Sequence, residues 1–165
     1  MYYEAVFKEF KKWKVRYIIA GGMAVNLHGI PRFTKDLDIL IDTSDGNLKK
    51  LEGALKKLHY RPKVPVTLAE FLKPANWPKW KKEKGMLAFN LYRPDIPYEE
   101  IDILVGTSVT FDKAAPRQVK IKVSGLMLSL VSIDDLIRMK RDAGRQQDLS
   151  DIVALKQVKK MKAYL

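Results

Sequence analysis

Three aspartates carry the chemistry open to this sequence. Asp36 and Asp38 stand two residues apart in the run from Asp36 to Asp42, DLDILID. Successive strand side chains point to opposite faces, so on an extended chain these two carboxylates project side by side. Leu37, Ile39 and Ile41 then face the other way, toward a core. Like charges on one half-buried face repel, and a bound divalent cation relieves the repulsion. Asp102 lies in a second apolar run, Glu99 to Val105 (EEIDILV), with Glu100 two residues before it. A lone carboxylate in mid-strand is costly to bury unpaired. If the two runs are neighbouring strands, the three carboxylates converge. All-oxygen ligands suit Mg2+ or Mn2+ rather than zinc. Two such ions roughly 3.5–4 Å apart clamp the attacking and leaving oxygens of a phosphoryl-type displacement. The plainer readings stay open at this point: Asp36 and Asp38 as solvated acids at a strand start, and Asp102 paired with a lysine or arginine.

Gly21-Gly22 adds a candidate phosphate site. Two glycines between a strand and a helix let the backbone approach a ligand, and the freed N–H groups face an anion. The pair lies fourteen residues ahead of Asp36, counted from Gly22, with one short helix between. Arg32 and Lys35 flank the bend before Asp36; Arg32 suits a phosphate and Lys35 suits solvent. Thr34 suits a bond to the turn backbone. His28, where the short helix ends, suits a packed, hydrogen-bonded histidine rather than a ligand. Lys140 continues the apolar stripe of Ile133, Leu136 and Ile137, so it either snorkels outward or reaches an anionic site. We expect a link to the active site, through nucleotide phosphate or an acid. Arg145 and Asp148 are spaced for an ion pair at a helix junction. Between Lys73 and Lys84 (KPANWPKWKKEK), Trp77 and Trp80 interleave with lysines. That pattern fits an acceptor-binding loop, by stacking and phosphate contact, or a surface loop whose tryptophans cover a core edge.

The elements that must position these groups follow from periodicity. Tyr3, Val6, Phe7, Phe10 and Trp13 predict an amphipathic helix over 2–13. Residues 15–20 read as a first strand, 23–28 as two helical turns ended by Gly29 and Pro31, and 36–42 as a second strand. Leu48, Leu51, Leu55 and Leu58 predict a helix over 47–59, with Ser44 or Asp45 as its cap. Prolines at 62, 65, 74 and 78 break the pattern over 61–84, where only 68–72 reads as helical. Strands are predicted over 85–93 and 99–105, a hairpin over 119–131, a Ser132-capped helix over 133–143, and a last helix over 147–160. The expected fold is α/β, of the α+β type: a mixed sheet flanked by helices, ending in a C-terminal helix pair. We expect a single domain over 1–165, with a sheet-bearing core over 1–131 and helices over 132–165.

Composition sets the bounds. Apolar residues make up 47% of 165 residues and aromatics 10%, enough for a core. No apolar run is long enough to span a bilayer, and the first residues carry no apolar signal core. The absence of cysteine excludes disulfides and thiolate metal sites, and a reducing cytoplasm is the expected compartment. The net charge of +12 favours polyanionic partners such as nucleotides, RNA or DNA, or acidic proteins; a lysine-rich surface for solubility is the plainer reading.

These motifs join into GG-x-A-x3-HG-x-PR-x-T-x-D-x-D, followed by an E-x-D strand. The combination resembles the DNA polymerase β-like nucleotidyltransferase superfamily. GGMAVNLHGIPRFTKDLDI, and SIDDLIRMKRDAGRQQDLSDIVAL from Ser132 to Leu155, are similar to its small AbiEii-like, abortive-infection branch. Residues 61–98 match none of its motifs. The resemblance implies transfer of a nucleoside monophosphate from an NTP to a hydroxyl, by a two-metal carboxylate mechanism with Mg2+ or Mn2+. It implies that Asp36 and Asp38 hold metal ions. Asp102 would complete the catalytic metal site and help deprotonate the attacking hydroxyl. Gly21, Gly22, Arg32 and Lys140 would hold the nucleotide. Many relatives carry Ser where Gly22 stands, so here backbone amides replace that hydroxyl. The acceptor, whether RNA or tRNA, protein or small molecule, stays open. A second reading is a nucleotidyltransferase-fold component of a toxin–antitoxin-like two-protein system, or a basic nucleic-acid or protein-binding module.

Overall fold

The computed structural model describes residues 1–164. Its centre is a seven-stranded mixed sheet. The strands are β1 (Tyr17–Ile19), β2 (Leu37–Ile41), β3 (Arg61–Pro62), β4 (Ala88–Tyr92), β5 (Glu100–Leu104), β6 (Val119–Val123) and β7 (Leu126–Leu130). Their order across the sheet is β3-β4-β5-β2-β1-β7-β6. β2 runs parallel to β5 and β1 parallel to β7, and the other neighbours are antiparallel. The helices are α1 (Glu4–Trp13), α2 (Gly21–Leu27), α3 (Asp45–Lys57), α4 (Leu68–Phe71), α5 (Trp77–Lys84), α6 (Phe111–Ala114), α7 (Ile133–Ala143) and α8 (Gln146–Ala163). The expected class, a mixed sheet flanked by helices and closed by a helix pair, is the class observed.

Cross-strand register assigns the two faces. Leu37 pairs with Ile101 and Ile39 with Ile103, while Leu91 and Phe89 pair with Ile101 and Ile103 from the other side. These six side chains are fully buried on one face. Helix α1 covers that face with Tyr3, Val6, Phe7 and Phe10 and turns its lysines outward, as its spacing predicts. Phe7 stacks on Tyr17, and α3 packs beside α1. Each such side chain stabilises the fold by about 1.5–3 kcal/mol. The opposite face carries Asp38, Asp102 and Asn90, and α7 and α8 stand over it. Ser132 caps α7 by accepting from the Asp135 amide at 3.1 Å, worth about 1 kcal/mol.

Three local expectations change. The first strand is shorter than expected, and α2 begins at Gly21 rather than at residue 23. The second strand begins at Leu37, so Asp36 precedes it. The segment 61–84 holds more than the one helical stretch expected over 68–72, which is present as α4. It holds β3, α4 with a Thr67–Glu70 capping box, a 3-10 turn Pro74–Asn76, and α5. Two of the four prolines there start elements instead of breaking them: Pro74 and Pro78 each occupy a first-turn position, where the missing N–H costs nothing.

Candidate active site

The site begins where β1 runs into α2. Ala20 is extended, and its amide donates to the Asp38 carbonyl at 2.9 Å, so the turn is tied to β2. Gly21 then adopts φ +58. A Cβ on Gly21 would stand 1.8 Å from Asp38 Oδ2, so the carboxylate lies directly against this glycine. A Cβ on Gly22 would stand 2.5 Å from Thr34 Oγ1 and 3.3 Å from Arg32 Cζ. The glycine pair is therefore required by the closeness of Asp38, Thr34 and Arg32 as well as by turn geometry.

Asp38 pairs in register with Asp102 across the parallel β2–β5 ladder, and Asp102 pairs with Asn90 across β5–β4. One row of the sheet thus reads Asp38, Asp102, Asn90. Asn90 donates from Nδ2 to Asp102 Oδ1 at 2.5 Å. Burial, then the Asp102 and Asp36 charges, push the Asp38 carboxyl from its ordinary 3.8 up to about 7, against a hydrogen bond from the Gly22 amide and the Lys140 charge. Burial also raises Asp102, joined by the Asp36 and Glu100 charges and opposed by the Asn90 bond. Asp36 sits just ahead of β2, and its Oδ1 is buried with no hydrogen-bond partner. These features fit a divalent cation: an orphaned carboxylate oxygen, an all-oxygen donor set, and acids that repel one another. The side chains are not yet gathered round one centre, because among the described residues no three His, Asp or Glu groups form a ready cage.

Opposite the acids stands a buried charge network. Lys140 Nζ lies 3.1 Å from Asp148 Oδ1 and 2.6 Å from Asp151 Oδ2. Arg145 Nε reaches Asp148 Oδ2 at 2.8 Å, and Arg32 Nη1 pairs with Asp151. Burial alone would raise both aspartates. Hydrogen bonds from Arg145 and Lys140 to Asp148, and from Lys140 and Gln147 to Asp151, outweigh burial and hold both below the ordinary range. A cavity of about 110 Å³ separates the network from the acids, with Gly21, Asp38, Leu104, Met139, Lys140 and Arg145 among its lining. A larger cleft, about 280 Å³, lies between α1 and the β6–β7 hairpin. It contains no acid, so the carboxylates, not cavity size, place the candidate site.

A family model described as nucleotidyl transferase AbiEii toxin, Type IV TA system, matches residues 6–162. The chain belongs to this family. Among solved structures it is similar to the lincomycin-bound lincosamide antibiotic adenylyltransferase LnuA, with a TM-score of 0.60 at 18% identity over 93% of each chain. It is also similar to ANT(2")-Ia in complex with adenylyl-2"-tobramycin, with a TM-score of 0.57 at 13% identity over 97% of this chain and 92% of that one. An antigenic nucleotidyltransferase-like protein from Paracoccidioides brasiliensis gives a TM-score of 0.52 at 18% identity, over 91% and 71% of the two chains. At these identities the likeness is one of fold. No curated protein sequence matches the chain.

Within this family member the residues singled out from sequence fall into two groups. Gly21, Gly22, Arg32, Asp36, Asp38, Asp102 and Lys140 gather at one end of the sheet, beside the α7–α8 turn. Lys140 reaches two acids of α8, and Arg32 is held by one of the same pair. Trp77 and Trp80 belong to α5, not to a loop, and stand edge-on to Phe89 at centroid distances of 5.6 and 5.4 Å. The Trp77 indole N–H donates to the Phe71 carbonyl at 2.8 Å, so these rings cover a core edge. His28 is buried and bonded to the Val131 carbonyl at 2.8 Å, and Lys35 is exposed and paired with Glu100 at 2.9 Å. The sequence reading passed over Asn90 and Asp151. Asn90 is the lone polar residue in the run AFNLY, a signal like that of Asp102. Asp151 is three residues from Asp148 on α8, and its contacts with Lys140 and Arg32 reveal its part.

Proposed function

We propose that the protein is a metal-dependent nucleotidyltransferase, moving a nucleoside monophosphate from a nucleoside triphosphate to an acceptor hydroxyl and releasing pyrophosphate. The observation that carries this reading is the in-register pair Asp38–Asp102, with Asp36 beside it and Gly21 pressed against Asp38. Asp36, Asp38 and Asp102 would hold Mg2+ or Mn2+, which would neutralise the triphosphate and stabilise the charge that develops during transfer. Asp102, raised by burial and steadied by Asn90, accepts the proton of the acceptor hydroxyl. The Gly21 and Gly22 amides, Arg32 beside that turn, and Lys140 with Arg145 across the cavity hold the phosphates. Leu104 and Met139 give the cavity an apolar wall that excludes water.

The family's description as the toxin of a Type IV TA system favours a second, compatible reading, in which the transfer is a growth-inhibiting activity countered by an antitoxin partner. The ligands of the two antibiotic-modifying neighbours support a small-molecule hydroxyl as acceptor; the +12 charge supports RNA. The test is label transfer from an α-32P-labelled NTP, with Mg2+ or Mn2+, to pools of RNA, protein and hydroxylated small molecules. We expect transfer by the wild-type protein and a loss of more than about a hundredfold in Asp36→Asn and Asp102→Asn. Wild-type protein that labels no pool and binds no Mg2+–NTP refutes the reading.

A further inference from the structure

Asp36 is held by no part of its own side chain that the fold explains. Its Oδ1 has no hydrogen-bond partner, and it stands one residue ahead of the first β2–β5 pair, Leu37 with Ile101. The backbone just before it is nevertheless fixed, and the group that fixes it is the phenol of Tyr3. Tyr3 is 1% exposed, at the start of α1, in the left-handed backbone region at φ 60. A residue other than glycine adopts that region uncommonly, which marks the position as one set by its surroundings. The Tyr3 hydroxyl lies 2.6 Å from the Lys35 carbonyl and 2.7 Å from the Glu100 carbonyl, and accepts from the Glu100 amide at 3.0 Å. A phenol has one proton, so it donates to one of the two carbonyls at a time while accepting from the amide. The Lys35 carbonyl belongs to the peptide bond that enters Asp36, and Glu100 lies two residues before Asp102. The hydroxyl therefore joins the two acid-bearing strands where their ladder has not yet begun. The Lys35–Glu100 ion pair crosses the same gap, but its lysine is about half exposed and such pairs hold little.

We propose that Tyr3 is a positioning residue for the metal-binding carboxylates: its hydroxyl sets the spacing of Asp36 from Asp102 through the Lys35 and Glu100 backbones. This inference rests on the proposed role of those acids as cation ligands. The test compares wild type with Tyr3→Phe, which keeps the ring and removes only the hydroxyl. Val6→Ala, on the same helix and facing the core, serves as a variant that lowers stability without touching the strap. Asp36→Asn reports on the site itself. Two readouts are taken: Mn2+ affinity by electron paramagnetic resonance, and hydrogen exchange at the Glu100 amide, which donates to the Tyr3 hydroxyl. In Tyr3→Phe we expect Mn2+ affinity to fall about tenfold and exchange at the Glu100 amide, which loses its acceptor, to quicken at least tenfold, with exchange at Ile39–Ile41 unchanged. Val6→Ala keeps wild-type Mn2+ affinity. If Tyr3→Phe behaves like Val6→Ala in both readouts, the proposal is overturned. If Asp36→Asn binds Mn2+ as wild type does, the reading of the acids as ligands has failed, and the exchange readout still decides whether Tyr3 fixes the strand start. Should Tyr3→Phe not fold, the wild-type phenol answers instead. Its proton, shared between the Lys35 and Glu100 carbonyls, gives a slowly exchanging resonance that shifts when Mg2+ is added, and a resonance that does not shift overturns the proposal.

Discussion

Replacing Gly21 by alanine tests the geometry at its tightest point. The new Cβ would stand 1.8 Å from Asp38 Oδ2, 2.5 Å from its Cγ and 2.8 Å from its Cβ, where contacts under 3.0 Å force something to move. The residue also holds φ +58, a left-handed conformation that costs an L residue roughly 1–2 kcal/mol. Relieving the overlap adds about 1–3 kcal/mol. A chain of this size loses about 2–4 °C of melting temperature per kcal/mol, so Gly21→Ala melts roughly 4–20 °C below wild type. The cost to activity has a separate origin. To clear the contact, the Asp38 carboxylate must retreat by more than an ångström, and a misplacement of that size lowers transfer by about a hundredfold. The assays are thermal denaturation and label transfer from an α-labelled NTP, with Gly46→Ala as control, since a Cβ at Gly46 meets nothing within 4 Å. The control retains wild-type stability and rate. A Gly21→Ala protein that melts within a degree or two of wild type, or transfers label at more than half its rate, refutes the placement of Asp38 against the turn.

Three further outcomes are expected. With divalent cations chelated, stability falls as pH rises: the folded Asp38 keeps its proton up to about 7, whereas the unfolded chain releases it near 3.8, so the stabilisation present below 3.8 is lost as pH climbs through 7. Between pH 5 and 8 the loss is about 2–3 kcal/mol in urea denaturation. His28, lowered by burial, acts with the opposite sign in the same range, so the quantity to read is the difference between wild type and Asp38→Asn; equal pH slopes in the two proteins count against the assignment, and added Mg2+ flattens the wild-type slope. Lys140→Met leaves the buried Asp148 and Asp151 short of a cation and costs about 3 kcal/mol or more in the same experiment; a loss under about 1 kcal/mol speaks against the network. Trp77→Ala removes a half-buried ring and its bond to Phe71, costing about 2–4 kcal/mol with the acceptor KM unchanged; a raised KM at unchanged stability would assign the ring to the acceptor instead.

Much of the site was legible because a strand with one buried face writes its alternation into the sequence. Asp38 and Asp102 interrupt apolar runs at single positions, and that pattern alone puts each on the face away from the core. Neighbouring placement of β2 and β5 needed the structure, since nothing in either run names its partner. The middle segment failed for a different reason. Its helices are four and eight residues long, too short for a 3.6-residue period to show, and Pro74 and Pro78 look like breaks until they are seen in first turns.

Asp36 exposes the sharper limit of pattern reading. Period-2 alternation assigns it to the same strand face as Asp38, and the two do approach the same site. Yet β2 begins one residue later, because the ladder with β5 starts at Leu37 and the preceding peptide is taken up by the Tyr3 hydroxyl. The chain thus places its two adjacent acids by different means. Asp38 is set by sheet register and by the missing Cβ of Gly21, both of which resist displacement by more than a kcal/mol or so. Asp36 is set through the Lys35 carbonyl, which the hydroxyl of Tyr3, 33 positions before Asp36 in the sequence, bonds, and its Oδ1 has no partner of its own. A ligand drawing the carboxylates together will therefore move Asp36 more readily than Asp38, so cation binding should show first in the amide signals of Lys35 and Asp36. Chemical-shift changes that are larger at Asp38 and Ile39 than at Lys35 and Asp36 on Mg2+ addition contradict this order.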